Sequence, residues 1–106
     1  MKKITLSIGL NDQHTHKQEV ATETALQIIK DSIMNSGFDG ATIIPGAIGI
    51  FRHANGAVVI ENSVQVVFYG ANPSDVKALA SKLRTALNQE SVAYEEQEIY
   101  SEFIEA

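Results

Sequence analysis

The sequence predicts an α+β fold whose six elements follow the order strand, helix, strand, strand, helix, strand. Three observations support this. Lys3–Leu10 alternates polar and apolar side chains, which is typical of a half-buried strand. Two later segments repeat their apolar residues every three or four positions, as amphipathic helices do. Asn55-Gly56 separates two extended runs, and this dipeptide is a strong hairpin signal.

The first strand is predicted over Lys3–Leu10, with its even-numbered residues on the buried face. Residues 11–17 are polar and lack periodicity, which indicates a loop. A helix follows, with Thr22 or Thr24 available as its N-cap and Gly37 where it should end. Its apolar stripe consists of Leu26, Ile29 and Ile33.

The next two strands are predicted over residues 40–54 and 57–69. Pro45 lacks a backbone N–H, so we expect a bend, a bulge or an edge position at Pro45-Gly46. We expect Asn55-Gly56 to form a two-residue type I′ turn, because Asn and Gly tolerate positive φ best. That turn would place Ala54 opposite Ala57.

This register assigns the hairpin residues to two faces. The face covered by helices would carry Phe51, Val58, Ile60, Val64, Val66 and Phe68. The opposite face would carry Ile48, Ile50, Arg52, Val59, Glu61, Val67 and Tyr69, with Thr5 and Ser7 from the first strand. Apolar surface bordered by polar groups is typical of an interface or a ligand surface, so we expect self-association or ligand binding there. A one-residue slip would exchange the two faces.

The second helix should begin at Asn72-Pro73, with Asn72 as N-cap and Pro73 in the first helical position. A last strand is predicted over residues 92–99, followed by an extension that contains Tyr100, Phe103 and Ile104. The element order matches a ferredoxin-like βαββαβ sandwich, in which two helices cover one face of a four-stranded antiparallel sheet. We expect residues 1–106 to form a single domain.

Composition excludes several classes of function. The 106 residues contain no Cys, which rules out thiol catalysis, cysteine metal sites and disulfides. Six acids and no bases fall within residues 90–106, whereas the rest of the chain holds seven acids and eight bases. This balance disfavours nucleic acid and anionic membranes as partners. The acidic stretch fits a solvated strand and tail or a surface for a basic partner, and we expect a cytoplasmic protein.

No catalytic or metal site is predicted. His14 and His16 follow Asp12, but a structural metal site needs four ligands and a catalytic one needs three. A polar loop explains them better. His53 precedes the turn without an identified acid to orient it. No Ser or Gly pattern indicates a nucleophile elbow or a phosphate loop. We therefore expect no catalytic residue, no metal and no cofactor.

One group of residues is predicted to bind a ligand. Arg52 and Glu61 would be diagonal neighbours on the opposite face, and Tyr69 would lie on the same face. A guanidinium donates two hydrogen bonds in a fixed fork, which suits a carboxylate or phosphate. Arg52 is therefore the predicted anion contact, with Glu61 and Tyr69 lining the site. A cross-strand ion pair is the structural alternative.

The chain resembles small PII-like proteins with a ferredoxin-like fold. The resemblance rests on residues 40–44, the Gly46/Gly49 pair, Asn55-Gly56 and residues 59–62. It implies trimers that bind nucleotides or anions between subunits. A two-residue turn replaces the long loop of signalling members, so no functional residue is carried over. Residues 4–12 also resemble short proteins of phages and bacterial mobile elements.

Together these observations predict a non-enzymatic binding protein that forms a homo-oligomer, either a dimer or a trimer. We expect a phage or mobile-element accessory factor that engages a host protein or sequesters a small anionic metabolite. The alternative is a dimeric, cofactor-free enzyme of the oxygenase type. In that alternative His53 or His16 would be the base, and the apolar sheet face would form the pocket.

Overall fold

Six elements follow one another in the predicted order in a computed structural model that describes residues 1–106. They are β1 (Lys2–Gly9), α1 (Thr22–Asn35), β2 (Thr42–Arg52), β3 (Val58–Tyr69), α2 (Pro73–Ala86) and β4 (Ala93–Glu98). The strands form one antiparallel sheet in the order β2-β3-β1-β4. This confirms the ferredoxin-like α+β fold. None of the helices has the length and apolar character that a membrane span requires.

The core lies between one face of the sheet and the two helices. Apolar side chains at alternate positions of β1 and β3 meet the apolar stripes of α1 and α2, as strand and helix periodicity require. The largest fully buried side chains are Ile4, Leu6, Ile8, Ile29, Val64, Val66, Phe68, Val76, Leu79 and Leu83. Central strands β1 and β3 therefore hold the sheet against the helices, and β2 and β4 form its edges.

The two helices begin differently. Asn72 caps α2 as predicted: its Oδ1 accepts hydrogen bonds from the backbone N–H groups of Ser74 at 2.8 Å and Asp75 at 3.4 Å. The predicted cap of α1 is wrong, because Ala21 occupies the N-cap and no side chain caps the helix. Thr22 lies inside α1, and its Oγ1 accepts a hydrogen bond from Gln18 at 2.9 Å.

The hairpin between β2 and β3 has a three-residue turn, so the predicted two-residue turn is wrong. His53 pairs with Ala57 through a backbone hydrogen bond of 2.8 Å, and the Gly56 N–H donates to the His53 carbonyl at 2.9 Å. Gly56 has φ +89°, the left-handed conformation that Gly adopts readily. This matches a type I turn followed by a glycine bulge. Arg52 consequently pairs with Val58 rather than Val59.

This change of one residue exchanges the faces of β2. Phe51 pairs with Val59 and Gly49 with Glu61, so Phe51 shares the open face with Glu61. Ile48, Ile50 and Arg52 lie on the other face, together with Val58 and Ile60. The predicted proximity of Arg52 and Glu61 is therefore wrong, since their side chains project to opposite sides of the hairpin.

The predicted irregularity at Pro45-Gly46 is confirmed. The register of β2 against β3 shifts between Ile44 and Ala47, which leaves an extra residue in the edge strand. Gly46 has φ +82°, so glycine fits this bulge.

Beyond the bulge the hairpin projects past the body as an arm, residues 47–62. β1 pairs with β3 only over residues 63–69, and the molecule is 49 Å long but 25 Å across. The helix-side surface of this arm is here called the arm stripe, and it consists of Ile48, Ile50, Arg52, Val58 and Ile60. Its aliphatic residues are 56–69% exposed. Since burying such a side chain contributes roughly 1.5–3 kcal/mol, about 4–8 kcal/mol of transfer free energy remains unrealised here.

The acidic segment after α2 forms the edge strand β4 and a tail. β4 lies within the predicted strand, and Lys2 Nζ pairs with Glu96 at 2.9 Å and Glu98 at 3.7 Å. Residues 99–106, here called the tail, have no regular secondary structure. Tyr100, Phe103 and Ile104 are each more than 80% exposed. The Tyr100 hydroxyl donates a hydrogen bond to Glu102 at 2.7 Å.

Replacing Asn72 by Ala should lower the free energy of unfolding by about 1 kcal/mol, because two N–H groups at the start of α2 would lose their acceptor. Thr24→Ala is the matched control: Thr24 is an exposed residue inside α1 that caps no N–H, so we expect a change below about 0.5 kcal/mol. Urea denaturation followed by circular dichroism measures both. Equal losses in the two variants would contradict the assigned cap.

Candidate functional site

A polar cleft of about 310 Å³ lies where β1 ends and the arm begins. Its walls come from β1 and the loop after it, from the open side of the arm, and from the segment after α2. The side chains and backbone that matter for its chemistry belong to Gly9, Asn11, Asp12, His16, Phe51, His53, Glu61, Gln89 and Glu90. No Lys or Arg lines it.

Glu61 is fixed at the centre of this cleft. Its carboxylate occupies the space where a Cβ at position 9 would be, so glycine at this position permits the close approach. The Asn11 N–H donates a 2.8 Å hydrogen bond to Glu61 Oε2. Opposite, Gly49 leaves the other flank open, since a Cβ there would meet the Glu61 side chain only at an ordinary 3.7 Å. The space beside Gly9 and one backbone amide thus position this carboxylate.

Three rings form one wall of the cleft. The His53 ring lies 4.6 Å from the Phe51 ring and 4.2 Å from the His16 ring, measured between centroids. His53 Nδ1 is 3.6 Å from Glu90 Oε2, which is an ion pair when the imidazole is protonated. The side chain of His53 is only 11% exposed, whereas Glu90 is 65% exposed. Glu90 is therefore the acid beside His53 that the sequence did not identify.

The loop after β1 is tied to the end of α2. Asp12 Oδ2 accepts a 2.6 Å hydrogen bond from Asn88 Nδ2, and Gln13 Nε2 donates to Asn88 Oδ1 at 2.7 Å. Asp12 Oδ1 accepts from the backbone N–H groups of His14 and Thr15. These bonds, with the Asn88 amide contributing most, hold the pKa of Asp12 below its usual 3.8. The loop is thereby held with Asp12 ionised at the cleft.

A buried amide completes the base of the cleft. Gln89 is 4% exposed, and its Nε2 donates to the carbonyls of Asn11 at 2.8 Å and Leu87 at 3.1 Å. This fixes the backbone of Asn11, whose N–H binds Glu61.

Three carboxylates face the cleft, and its only other titratable groups are two imidazoles. Such a site favours a cationic ligand over an anion.

The structure separates the three residues predicted to bind a ligand. Glu61 lies in the cleft. Arg52 lies on the arm stripe, where its guanidinium donates only a 3.3 Å hydrogen bond to the Gly56 carbonyl. Tyr69 lies at the far end of β3, in a second hollow of about 620 Å³ that Phe38 and Phe103 also line.

The two histidines of the polar loop also separate. His16 reaches the cleft, whereas His14 does not line it. No group of three His, Cys, Asp or Glu side chains lies close enough together to hold a metal ion.

Sequence reasoning missed most of the cleft. The predicted face of Phe51 is wrong because the turn contains one more residue than expected. Gly9 fits the alternation of β1, and nothing in the sequence indicates that the Glu61 carboxylate fills the space beside it. In the sequence, Glu90 is recognisable only as part of the acidic stretch. One feature of the sequence does point to Gln89. It follows Asn88 directly after a helix, where polar side chains often form hydrogen bonds with backbone groups.

Comparison with known proteins finds related structures. No protein-family model matches the chain, and no curated protein matches it. A phage SAM lyase solved in complex with S-methyl-5'-thioadenosine is 28% identical, over 92% of this chain and 80% of that chain, with a TM-score of 0.68. A phage SAM lyase in its apo state is 26% identical, over 98% and 92% of the two chains, with a TM-score of 0.72.

Two further solved structures share the fold at lower identity. CutA from Xylella fastidiosa is 14% identical over 96% of this chain and 86% of that chain, with a TM-score of 0.64. CPII from Thiomonas intermedia K12, bound to ADP, AMP and acetate, is 14% identical over 94% and 88%, with a TM-score of 0.53. These findings confirm the resemblance to PII-like ferredoxin-fold proteins and to phage proteins. The fold is shared by ligand-binding proteins and by an enzyme.

Replacing Gly9 by Ala should displace the Glu61 carboxylate, because the new Cβ would collide with it. The colliding atoms are the far end of the flexible Glu61 side chain, which can turn aside, so we expect a loss of less than about 1 kcal/mol in the free energy of unfolding, below the usual effect of overpacking a core. Gly49→Ala is the matched control on the other flank of Glu61. It should be neutral or stabilising by up to about 1 kcal/mol, since Ala costs less conformational entropy than Gly in a strand.

Urea denaturation of these variants and of the double variant Gly9→Ala/Glu61→Ala measures the contact. The penalty of Gly9→Ala should vanish when Glu61 is absent, because there is then nothing to displace. A penalty that persists without Glu61 would show that Gly9 is required for another reason.

The pKa of Asp12 predicts a pH dependence of stability. Because the folded state lowers this pKa, the ionised carboxylate stabilises the fold above pH 3.8, and that contribution is lost as the pH falls through the folded value. Asp12→Asn should therefore be less stable than wild type at pH 6 and approach wild type in stability as the pH falls below 3.8. Asn88→Gly removes the strongest donor while tolerating φ +47°, and it should weaken the same pH dependence. Urea midpoints between pH 2.5 and 6 measure this, and parallel curves would contradict it.

Proposed function

We propose that this chain cleaves S-adenosylmethionine and releases S-methyl-5'-thioadenosine. The observation that carries the proposal is the similarity to phage SAM lyases at 26–28% identity over nearly the whole chain, one of them solved with that thioether nucleoside. The acidic cleft supports it. S-adenosylmethionine carries two positive groups, a sulfonium and an ammonium, whereas the cleft offers three carboxylates and no Lys or Arg.

The dimensions and rings of the cleft suit a nucleoside. Its volume of about 310 Å³ lies at the lower end of the roughly 300–1,000 Å³ that small-molecule sites occupy. Phe51 and His53 line it, with their rings in edge-to-face contact. Stacking of a nucleobase on such a ring contributes about 1–3 kcal/mol. The cleft is mainly polar, which fits this substrate better than the apolar pocket expected for an enzyme of the oxygenase type.

The reaction needs no base from the protein. One carboxylate oxygen of the substrate attacks its own Cγ, the Cγ–S bond breaks, and the bonding electron pair passes to sulfur. The sulfonium becomes the neutral thioether, the carboxylate becomes the ester of homoserine lactone, and no proton is transferred. The protein then contributes by holding the methionine part in the bent conformation that this displacement requires.

Glu61 is assigned to the substrate's ammonium group. The positive charge on sulfur disappears as the C–S bond breaks, so a carboxylate held against sulfur would stabilise the substrate more than the transition state. The ammonium charge persists throughout, and a carboxylate that binds it stabilises both states. Glu61 is fixed by Gly9 and Asn11, which makes it a rigid anchor of this kind. The neutral nucleoside product would then bind less tightly than the substrate.

The proposal includes self-association and a biological setting. The exposed aliphatic residues of the arm stripe favour a homo-oligomer, because monomers rarely leave such a contiguous patch uncovered. A phage or mobile-element factor that consumes a host metabolite in the cytoplasm fits the similarity to phage enzymes. Consumption of a cationic metabolite replaces the expected sequestration of an anionic one, since Arg52 lies outside the cleft.

Incubation of the purified chain with S-adenosylmethionine, followed by mass spectrometry, tests the reaction. We expect S-methyl-5'-thioadenosine together with homoserine lactone or its hydrolysis product homoserine. If 2-aminobut-3-enoate accompanies the nucleoside instead, the reaction is an elimination and the internal displacement is wrong. Binding of the substrate without any product would identify a non-enzymatic binding protein.

Glu61→Gln should weaken binding of S-adenosylmethionine tenfold or more, since hydrogen bonds between charged groups contribute about 1.5–3 kcal/mol. Binding of S-methyl-5'-thioadenosine should change far less, because it lacks the ammonium group. Glu19→Gln is the matched control, an exposed carboxylate outside the cleft. Calorimetric titration of both ligands measures this, and an equal loss for both would refute the assigned role of Glu61.

A further inference from the structure

Two apolar patches of the chain remain largely uncovered. The first is the arm stripe, with Ile48 and Ile50 each 69% exposed and Ile60 67% exposed. The second is on the tail, where Tyr100 and Phe103 are 85% and 81% exposed. Contiguous apolar surface of this kind usually marks a site of interaction.

The patches lie at opposite ends of the molecule. The tail follows β4 beside Lys2, at the start of β1, and Phe103 lies near Tyr69. The arm begins beyond Gly9, at the other end of β1. The eight residues of β1 separate these ends by about 26 Å at 3.3 Å per residue. Residues 99–104 reach about 21 Å at most, so the tail cannot cover its own arm stripe.

The charges of the two patches are complementary. Arg52 is the only Lys or Arg of the arm, and no carboxylate of the chain lies within 4.0 Å of it. The tail carries Glu102 and Glu105 and no base. An apolar stripe that includes one unpaired guanidinium therefore faces solvent at one end, and an apolar segment with two carboxylates does so at the other.

We propose that the arm stripe of one copy binds the tail of a second copy. Residues 48–52 and 100–104 are both five residues long, or about 16 Å when extended, so the segments match in length. Tyr100, Phe103 and Ile104 would cover the aliphatic side chains of the arm, and Glu102 or Glu105 would pair with Arg52. The contact joins two different surfaces, and repetition of it closes a ring of copies where the rotation permits.

This interface specifies the partner of the proposed homo-oligomer, and it rests on that part of the proposed function and not on the cleavage reaction. The arm stripe faces away from the cleft, which takes Phe51, His53 and Glu61 from the other side of the arm. Binding of the tail therefore leaves the cleft open.

Molar mass in solution, measured by light scattering after size exclusion over a range of concentrations, tests the interface. We expect wild type to be an oligomer and deletion of residues 100–106, which leaves the backbone bonds between Ile99 and Met1 in place, to raise its dissociation constant at least tenfold. Ile50→Asp and Phe103→Ser should each do the same. Met34→Ser is the matched control: Met34 is also 67% exposed but lies on α1, outside both patches, and the mass should not change.

A charge exchange identifies which surfaces meet. Arg52→Glu should weaken the oligomer, as should Glu102→Lys/Glu105→Lys, and the combination of all three should restore it. Restoration also shows that the variants fold. A monomeric wild type would overturn the proposal. So would an oligomer that survives deletion of the tail, or variants that fail to rescue each other.

Two other outcomes separate this interface from its alternatives. If deletion of the tail lowers the melting temperature without changing the mass, the tail packs on its own chain and the proposal is wrong. If wild type is an oligomer whose charge-exchange variants rescue each other but it does not cleave S-adenosylmethionine, the proposed reaction is refuted and the interface stands. If wild type is a monomer that cleaves S-adenosylmethionine, the interface is refuted and the proposed reaction stands.

Discussion

The three-residue turn at Ala54–Gly56 is the constraint on which the cleft and the arm depend. Gly56 accepts a positive φ, and this sets the pairing of Phe51 with Val59 and Gly49 with Glu61. Side chains of a strand alternate between faces, so this pairing decides which residues of the hairpin meet the cleft. With one residue fewer in the turn, Phe51 would leave the open face and the aliphatic residues of β2 would replace it.

The cleft shows how a carboxylate can be fixed without a basic partner. The space beside Gly9 and the N–H of Asn11 hold Glu61, and the buried amide of Gln89 holds Asn11 in turn. The charge of Glu61 is therefore not neutralised by a Lys or Arg of the chain. A fixed and uncompensated negative charge attracts cations, and pre-positioning spares the entropy of ordering the side chain on binding.

The same fold supports different activities because function depends on its clefts and surfaces. Here the sheet and helices supply a rigid body, and the functional groups lie where strands end and loops meet. The arm carries cleft residues on one side and an exposed aliphatic stripe on the other. Separate faces of one hairpin can therefore serve ligand binding and self-association without competing for the same side chains.

The sequence by itself determined the order of the elements, the cap at Asn72, an irregularity at Pro45-Gly46 and the core residues of β1. These features follow from local backbone chemistry and from periodicity, which neighbouring residues specify. Only the tertiary structure decided the register of the hairpin, the place of Glu61 over Gly9 and the meeting of His16, His53 and Glu90. These contacts join residues that are far apart in the chain. A two-residue turn and a three-residue turn around the same Asn-Gly pair place the side chains of β2 on opposite faces of the sheet. Periodicity cannot distinguish such registers, because it records alternation and not which side of the sheet each residue meets.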